Sequence, residues 1–105
     1  MTKKEQEKIN ELCMTEMDKA MAELNGETDI RNAAQLRRCS AWVYNTPSYY
    51  ILRSYDTFIG CINKQSGNSF DVLRIVYGYT ASSGKQFSKF IQDYSGWAVS
   101  HYCAR

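Results

Sequence analysis

Between positions 41 and 79 four β-rich runs follow one another with only turn residues between them: AWVYN, YYILR, TFIGCIN and FDVLRIVYGY, divided by TPS, SYD and KQSGNS. Val, Ile, Tyr and Phe favour strands because branched or flat side chains pack well on a pleated surface, while Pro, Gly, Asn, Asp and Ser interrupt it. Connections this short leave no room for crossover helices, so consecutive strands must be antiparallel neighbours. This pattern limits the fold more than any other feature and predicts a four-stranded antiparallel meander.

Helical signals flank the meander. Thr2 and Glu5 have capping-box spacing, so a helix starts at Lys3. Ile9, Leu12, Cys13, Met17, Ala20, Met21 and Leu24 then recur at steps of three and four, and Asn25-Gly26 ends the run, with Gly26 able to take the left-handed cap. A helix laid on the sheet is the plain reading of that stripe; Met14, Met17 and Met21 would also suit a self-associating or partner-binding helix. Good helix formers with basic residues at the carboxy end predict a shorter second helix over Asp29 to Arg38. After the strands, Phe87, Phe90, Ile91 and Tyr94 share one face of a last helix ending near Gly96, and WAVSHYC closes the sheet as an edge strand. The expected fold class is therefore α+β. Its 105 residues form a single domain, with a helical part over 1–39 and the meander plus helix over 40–105.

No apolar stretch approaches the ~20 residues of a membrane span, and MTKKEQEKINEL lacks a signal-peptide core. A cytoplasmic protein without a membrane partner is expected. In that reducing compartment Cys13, Cys39, Cys61 and Cys103 read as thiols, and no pair has Cys-x-x-Cys spacing, so no metal site is expected. Small buried hydrophobes is their plain role. His101 and Cys103 share a strand face, where an imidazole can activate a thiolate, but two residues from the carboxy-terminal residue a rigid catalytic geometry is hard to hold.

Gly78 and Gly84-Lys85 imitate a phosphate loop. A Walker A loop needs four residues between its glycines and a Ser or Thr after the Lys; here five intervene and Gln86 follows. A structural joint explains the same residues: Gly78 relaxes the backbone where a strand ends, and Thr80, Ser82 or Ser83 caps the next helix. That helix terminus, with Ser82, Ser83 and Lys85, would suit a single phosphate or a partner's carboxylate.

Charge is unevenly spread. Residues 1–30 carry eight acids and four bases, a net −4, whereas residues 31–105 carry nine bases and three acids, a net +6. Two candidate surfaces follow. The first is the acidic helix, with Glu5, Glu7, Glu11, Glu16, Asp18 and Glu23 facing a basic partner. The second is a basic and aromatic face with Arg53, Tyr55, Arg74, Tyr77, Tyr79 and Lys85, suited to a protein or to nucleic acid. Strand packing of tyrosine is the plain alternative. With one histidine and three acids after residue 30, no general acid/base pair is evident, so no catalytic residue and no cofactor is expected.

The stretch SYDTFIGCI, followed by YGYTASSGKQFSKF, resembles a small domain of phage and gut-bacterial mobile-element proteins that reads Ser-Tyr-x-Thr, strand, turn, strand, Tyr-Ser/Thr-x-Thr/Ser, helix. The matching residues are Ser54, Tyr55, Asp56, Thr57, Tyr77, Gly78, Tyr79, Thr80, Ser82 and the helix around Phe87 and Phe90; the first helix lies outside. Gln86 or Phe87 stands where that helix commonly has a His. The domain is one of unknown function, so the resemblance implies a habitat. A non-enzymatic binding protein that engages a host protein is the leading expectation, with a defence nuclease, RNA-guided or restriction, as the specific partner. A small nucleic-acid-binding accessory protein is the alternative, and a homodimer through the first helix is compatible with both.

Overall fold

In the computed structural model of the chain, which describes residues 1–78, 80–95 and 99–105, the Thr2 hydroxyl accepts the Glu5 amide at 3.1 Å and starts the first helix, α1 (Lys3–Leu24). Asn25, with φ 54°, turns left-handed and its amide bonds the Met21 carbonyl, so the cap falls one residue earlier than Gly26. Three strands of the expected meander follow at the positions read from the sequence: β2 (Ala41–Asn45), β3 (Tyr49–Ser54) and β4 (Thr57–Asn63). Each pairs antiparallel with the next.

The remaining elements depart from expectation. Over Asp29 to Arg38 there is no helix beyond one 3-10 turn, Ile30–Asn32, capped by the Asp29 carboxylate on the Arg31 amide. The chain then extends as β1 (Ala34–Gln35), pairing with Val43 and Trp42, and drops Leu36 into the core at 1% exposure. Edge pairing and burial of Leu36 outweigh the propensity of a helix too short to stand alone. The fourth run pairs only over β5 (Ser69–Asp71) and then bends into a helical turn, α2 (Leu73–Val76), whose Leu73 amide is taken by the Asp71 carboxylate at 2.9 Å. After α3 (Ala81–Tyr94) the chain returns as β6 (His101–Cys103), parallel to β5, with Phe70 opposite Tyr102. The expected edge strand is thus shorter than WAVSHYC, and Gly96, Trp97 and Ala98 lie outside the described residues. The described strands form one mixed sheet in sequential order, β1 to β6, rather than a four-stranded meander.

The helices lie on opposite faces. Cys13, Met17, Ala20 and Leu24 of α1 pack on Tyr44, Tyr49, Ile51, Cys61 and Phe70. Phe87 and Phe90 of α3 pack on Val43, Leu52, Ile59 and Ile62. Adjacent strand residues such as Ile51 and Leu52, or Cys61 and Ile62, therefore serve different cores, which explains why the strands read as apolar runs and not as an alternation. Gln6 and Asn10 of α1 tie down the carboxy-terminal strand, bonding the Cys103 carbonyl at 3.0 Å and the Arg105 carbonyl at 2.9 Å.

Glu23 joins α1 to the β2–β3 turn. Its carboxylate accepts the Thr46 hydroxyl at 2.7 Å and the Ser48 amide at 2.9 Å. Those bonds, the Thr46 hydroxyl first, hold its pKa below the ordinary glutamate value. A carboxylate lowered in the folded state adds stability that is present above its unfolded pKa and is lost as pH falls through the folded one. Glu23→Gln is therefore expected to lower the urea midpoint at neutral pH and to flatten its decline with acid. A decline as steep as in the native chain would show that Glu23 does not contribute.

Candidate functional site

Ser54 pairs with Thr57 across the β3–β4 hairpin, leaving Tyr55 and Asp56 as a two-residue turn. Tyr55 has φ 54°, a left-handed conformation that glycine or asparagine takes readily and a bulky residue rarely does. Arg53 holds it there: its Nε donates to the Tyr55 carbonyl at 2.8 Å, while Nη1 donates to the Thr28 carbonyl at 2.5 Å and the Tyr44 hydroxyl at 3.2 Å. The strain costs roughly 1–3 kcal/mol. Burial of the ring offsets little of it, because Tyr55 is 57% exposed. Tyr55→Asn is accordingly expected to raise the unfolding free energy by about 1 kcal/mol, measured by urea titration. A loss of stability would mean that the ring is held by packing.

A second segment meets this turn. Gly78, with φ 105°, ends α2 by returning its amide to the Leu73 carbonyl at 2.9 Å. The expected joint is thus a helix stop, not the end of a strand, and Thr80 caps α3 by accepting the Ser83 amide at 3.1 Å. The start of α3 is fixed to the end of β3 by a buried polar cluster. Ser54 Oγ lies 3.2 Å from Ser83 Oγ and donates a short bond to Gln86 Oε1. Gln86 is therefore a buried structural acceptor.

Between the two segments lies a cavity of about 250 Å³ lined by Ser54, Tyr55, Asp56, Thr57, Ile59, Tyr77, Thr80, Ser82 and Ser83. Tyr77 is 64% exposed at its rim, and Ile75 and Val76 stand exposed on the α2 turn just before it. Both segments that carry the resemblance meet here.

The remaining tyrosines and the other residues read as site candidates are dispersed. Tyr44 and Tyr49 are buried, Tyr50 packs on Tyr94 at 4.9 Å between ring centres, and Tyr102 stacks on Phe70 at 5.5 Å. Tyr79 lies outside the described residues. Of the described tyrosines only Tyr55 and Tyr77 are exposed, so the expected open aromatic sheet face is absent: a helix covers each side. Arg53 spends its guanidinium on the turn. Arg74 Nη1 lies 2.9 Å from Cys103 Sγ, in a groove with Asp71 and His101 rather than in the Tyr55 cavity. Lys85 is exposed on α3 and does not line the cavity.

The acidic helix is similarly divided. Glu16 accepts the Tyr49 hydroxyl at 3.1 Å and the Asn63 amide at 3.0 Å, and Glu23 is occupied by Thr46 and Ser48. Glu5 accepts the Thr2 hydroxyl at 3.1 Å. Glu7, Glu11 and Asp18 remain exposed, interspersed with exposed Lys4, Lys8 and Lys19. The outer face of α1 is consequently mixed in charge.

Cys13 and Cys61 are fully buried, and burial, chiefly, pushes the Cys13 thiol up to about 11 and the Cys61 thiol higher still. His101 Nδ1 bonds Ser69 Oγ at 2.7 Å while Cys103 faces Arg74, so the His-Cys pair is not assembled. Among the described residues no group of three His, Cys, Asp or Glu side chains is placed to hold a metal, and no helix is long and apolar enough to cross a membrane. Comparison with family models, with curated proteins and with solved structures finds no match for the chain.

Proposed function

We propose that this chain is a non-enzymatic binding protein that engages another protein through the surface around Tyr55 and Tyr77. The observation that carries the reading is their clustering: Tyr55 and Tyr77, the exposed tyrosines among the described residues, flank one cavity, and Tyr55 is held in a strained backbone with little burial in return. Tyrosine anchors protein interfaces because it buries a large rigid surface at little entropic cost. Strain kept at an exposed aromatic points the same way, since a turn selected for stability would carry Gly or Asn.

A protein partner is favoured over nucleic acid. Among the described residues no Lys or Arg lines the cavity, and Arg53 and Arg74 make contacts within the chain. The motif residues resemble those of phage and mobile-element proteins, and on that analogy the partner is a host protein, with a defence nuclease the specific candidate.

The test is affinity capture from host lysate with and without nuclease treatment, comparing the native chain with a Tyr55→Ala/Tyr77→Ala variant that keeps its fold. Stoichiometric capture of one protein, lost in the variant, is expected. Recovery of nucleic acid alone from the untreated lysate would overturn the proposal.

A further inference from the structure

Resting on that reading, we propose that the cavity between Tyr55 and Tyr77 receives an arginine side chain of the partner protein, with the Asp56 carboxylate as its counter-ion. Size is the first argument. At about 250 Å³ the cavity is below the usual range for small-molecule sites and has room for one side chain.

Charge is the second. Among the described residues Asp56 is the only acid in the lining, and no Lys or Arg accompanies it. The ion pairs found among the described residues join Glu16 to Lys19, Asp29 to Arg31 and Asp93 to Arg37, leaving Asp56 with only the Thr57 hydroxyl at 3.2 Å. The positive end of α3 faces the same space, but it amounts to about half a charge against a whole one, and Thr80 already occupies the Ser83 amide. A phosphate or carboxylate would meet that carboxylate; a cation is drawn to it.

The kind of cation follows from the walls. Two tyrosine rings attract a cation through their π faces, and a planar guanidinium stacks on such rings while its forked donors reach a carboxylate and neighbouring hydroxyl oxygens. Thr57, Thr80 and Ser82 are among the residues that line the cavity. An ammonium is more strongly hydrated and gains less from the rings.

The test uses three peptides, Ac-Gly-Arg-Gly-NH2 and its lysine and citrulline counterparts, titrated at millimolar concentration into the ¹⁵N-labelled chain while amide resonances are followed. The arginine peptide is expected to shift residues 54–57 and 80–83 and to bind about tenfold more tightly than the uncharged citrulline peptide. The lysine peptide should bind more weakly than the arginine one. Asp56→Asn keeps the acceptor for Thr57 and is expected to weaken the arginine peptide about tenfold with an otherwise unchanged spectrum.

Equal binding of the citrulline peptide, indifference to Asp56→Asn, or shifts elsewhere on the molecule would each overturn the arginine site. So would a short oligothymidine that shifts the same amides while the peptide does not. Failure here is separable from failure of the protein-binding reading. If the captured partner still requires Tyr55 and Tyr77 but no peptide binds, the arginine site is wrong and the interface stands; if neither result appears, both are wrong.

Discussion

Phe90→Ala is expected to lower the unfolding free energy by about 4 kcal/mol, read from the urea midpoint and slope. Phe90, on the sheet-facing side of α3, is fully buried, with its ring 5.7 Å from Phe87 in an edge-on contact and 5.6 Å from Tyr94. Truncation removes the transfer energy of a large side chain and leaves a cavity that the rigid sheet beneath cannot close. A small domain has roughly 5–15 kcal/mol in all, so little would remain. The site should suffer as well, because α3 carries Thr80, Ser82 and Ser83 to the cavity. A loss under about 1 kcal/mol would mean that α3 is not docked on the sheet as described.

Gly60→Ala is expected to cost about 3 kcal/mol, by the opposite mechanism. Gly60 lies in β4 opposite Leu52, beside the register shift between Leu52 and Arg53, and the Phe87 ring rests directly on its bare Cα. A methyl group there would overlap that ring and come within 2.6 Å of the Phe70 carbonyl oxygen, which belongs to the backbone and cannot rotate away. Shortening the ring relieves only the first clash, so Gly60→Ala/Phe87→Leu should stay well below the native chain. A near-neutral Gly60→Ala would require α3 to stand off the sheet. Both variants probe one contact surface, one by emptying it and the other by overfilling it.

Local signals in the sequence identify the elements that local physics determines. The Thr2 cap, the α1 stripe, the three strands between Ala41 and Asn63 and the aromatic face of α3 all correspond to elements of the structure. What could not be read locally was settled by distant partners. Ala34 and Gln35 lack strand-forming residues and become a strand because the β2 edge needs a neighbour. The FDVLRIVYGY run ends its pairing at Asp71 because Val72 and Leu73 turn inward while Ile75, Val76 and Tyr77 remain outside.

The tyrosines show the same limit. Their exposure depends on which sheet side each helix covers, a choice absent from the pattern of any single strand. The side-to-side apolarity of YYILR and TFIGCIN was the available sign that both faces are covered. Asp56 and Thr57 read locally only as part of a turn and the start of a strand; nothing in local charge or periodicity joined them to Thr80 and Ser82. The acid-rich helix misled in a different way. Composition counts charges without showing that Glu16 and Glu23 turn toward the sheet and the β2–β3 turn.

The most direct test of the binding surface is amide hydrogen exchange on the purified complex with the captured partner, compared with the free chain. Protection gained at residues 54–57 and 75–83, with the outer face of α1 unchanged, is the result expected if the Tyr55 and Tyr77 surface is the interface. Protection gained along α1 around Glu7, Glu11 and Asp18, with the 54–57 turn exchanging as in the free chain, would contradict it and return the interface to the acidic helix.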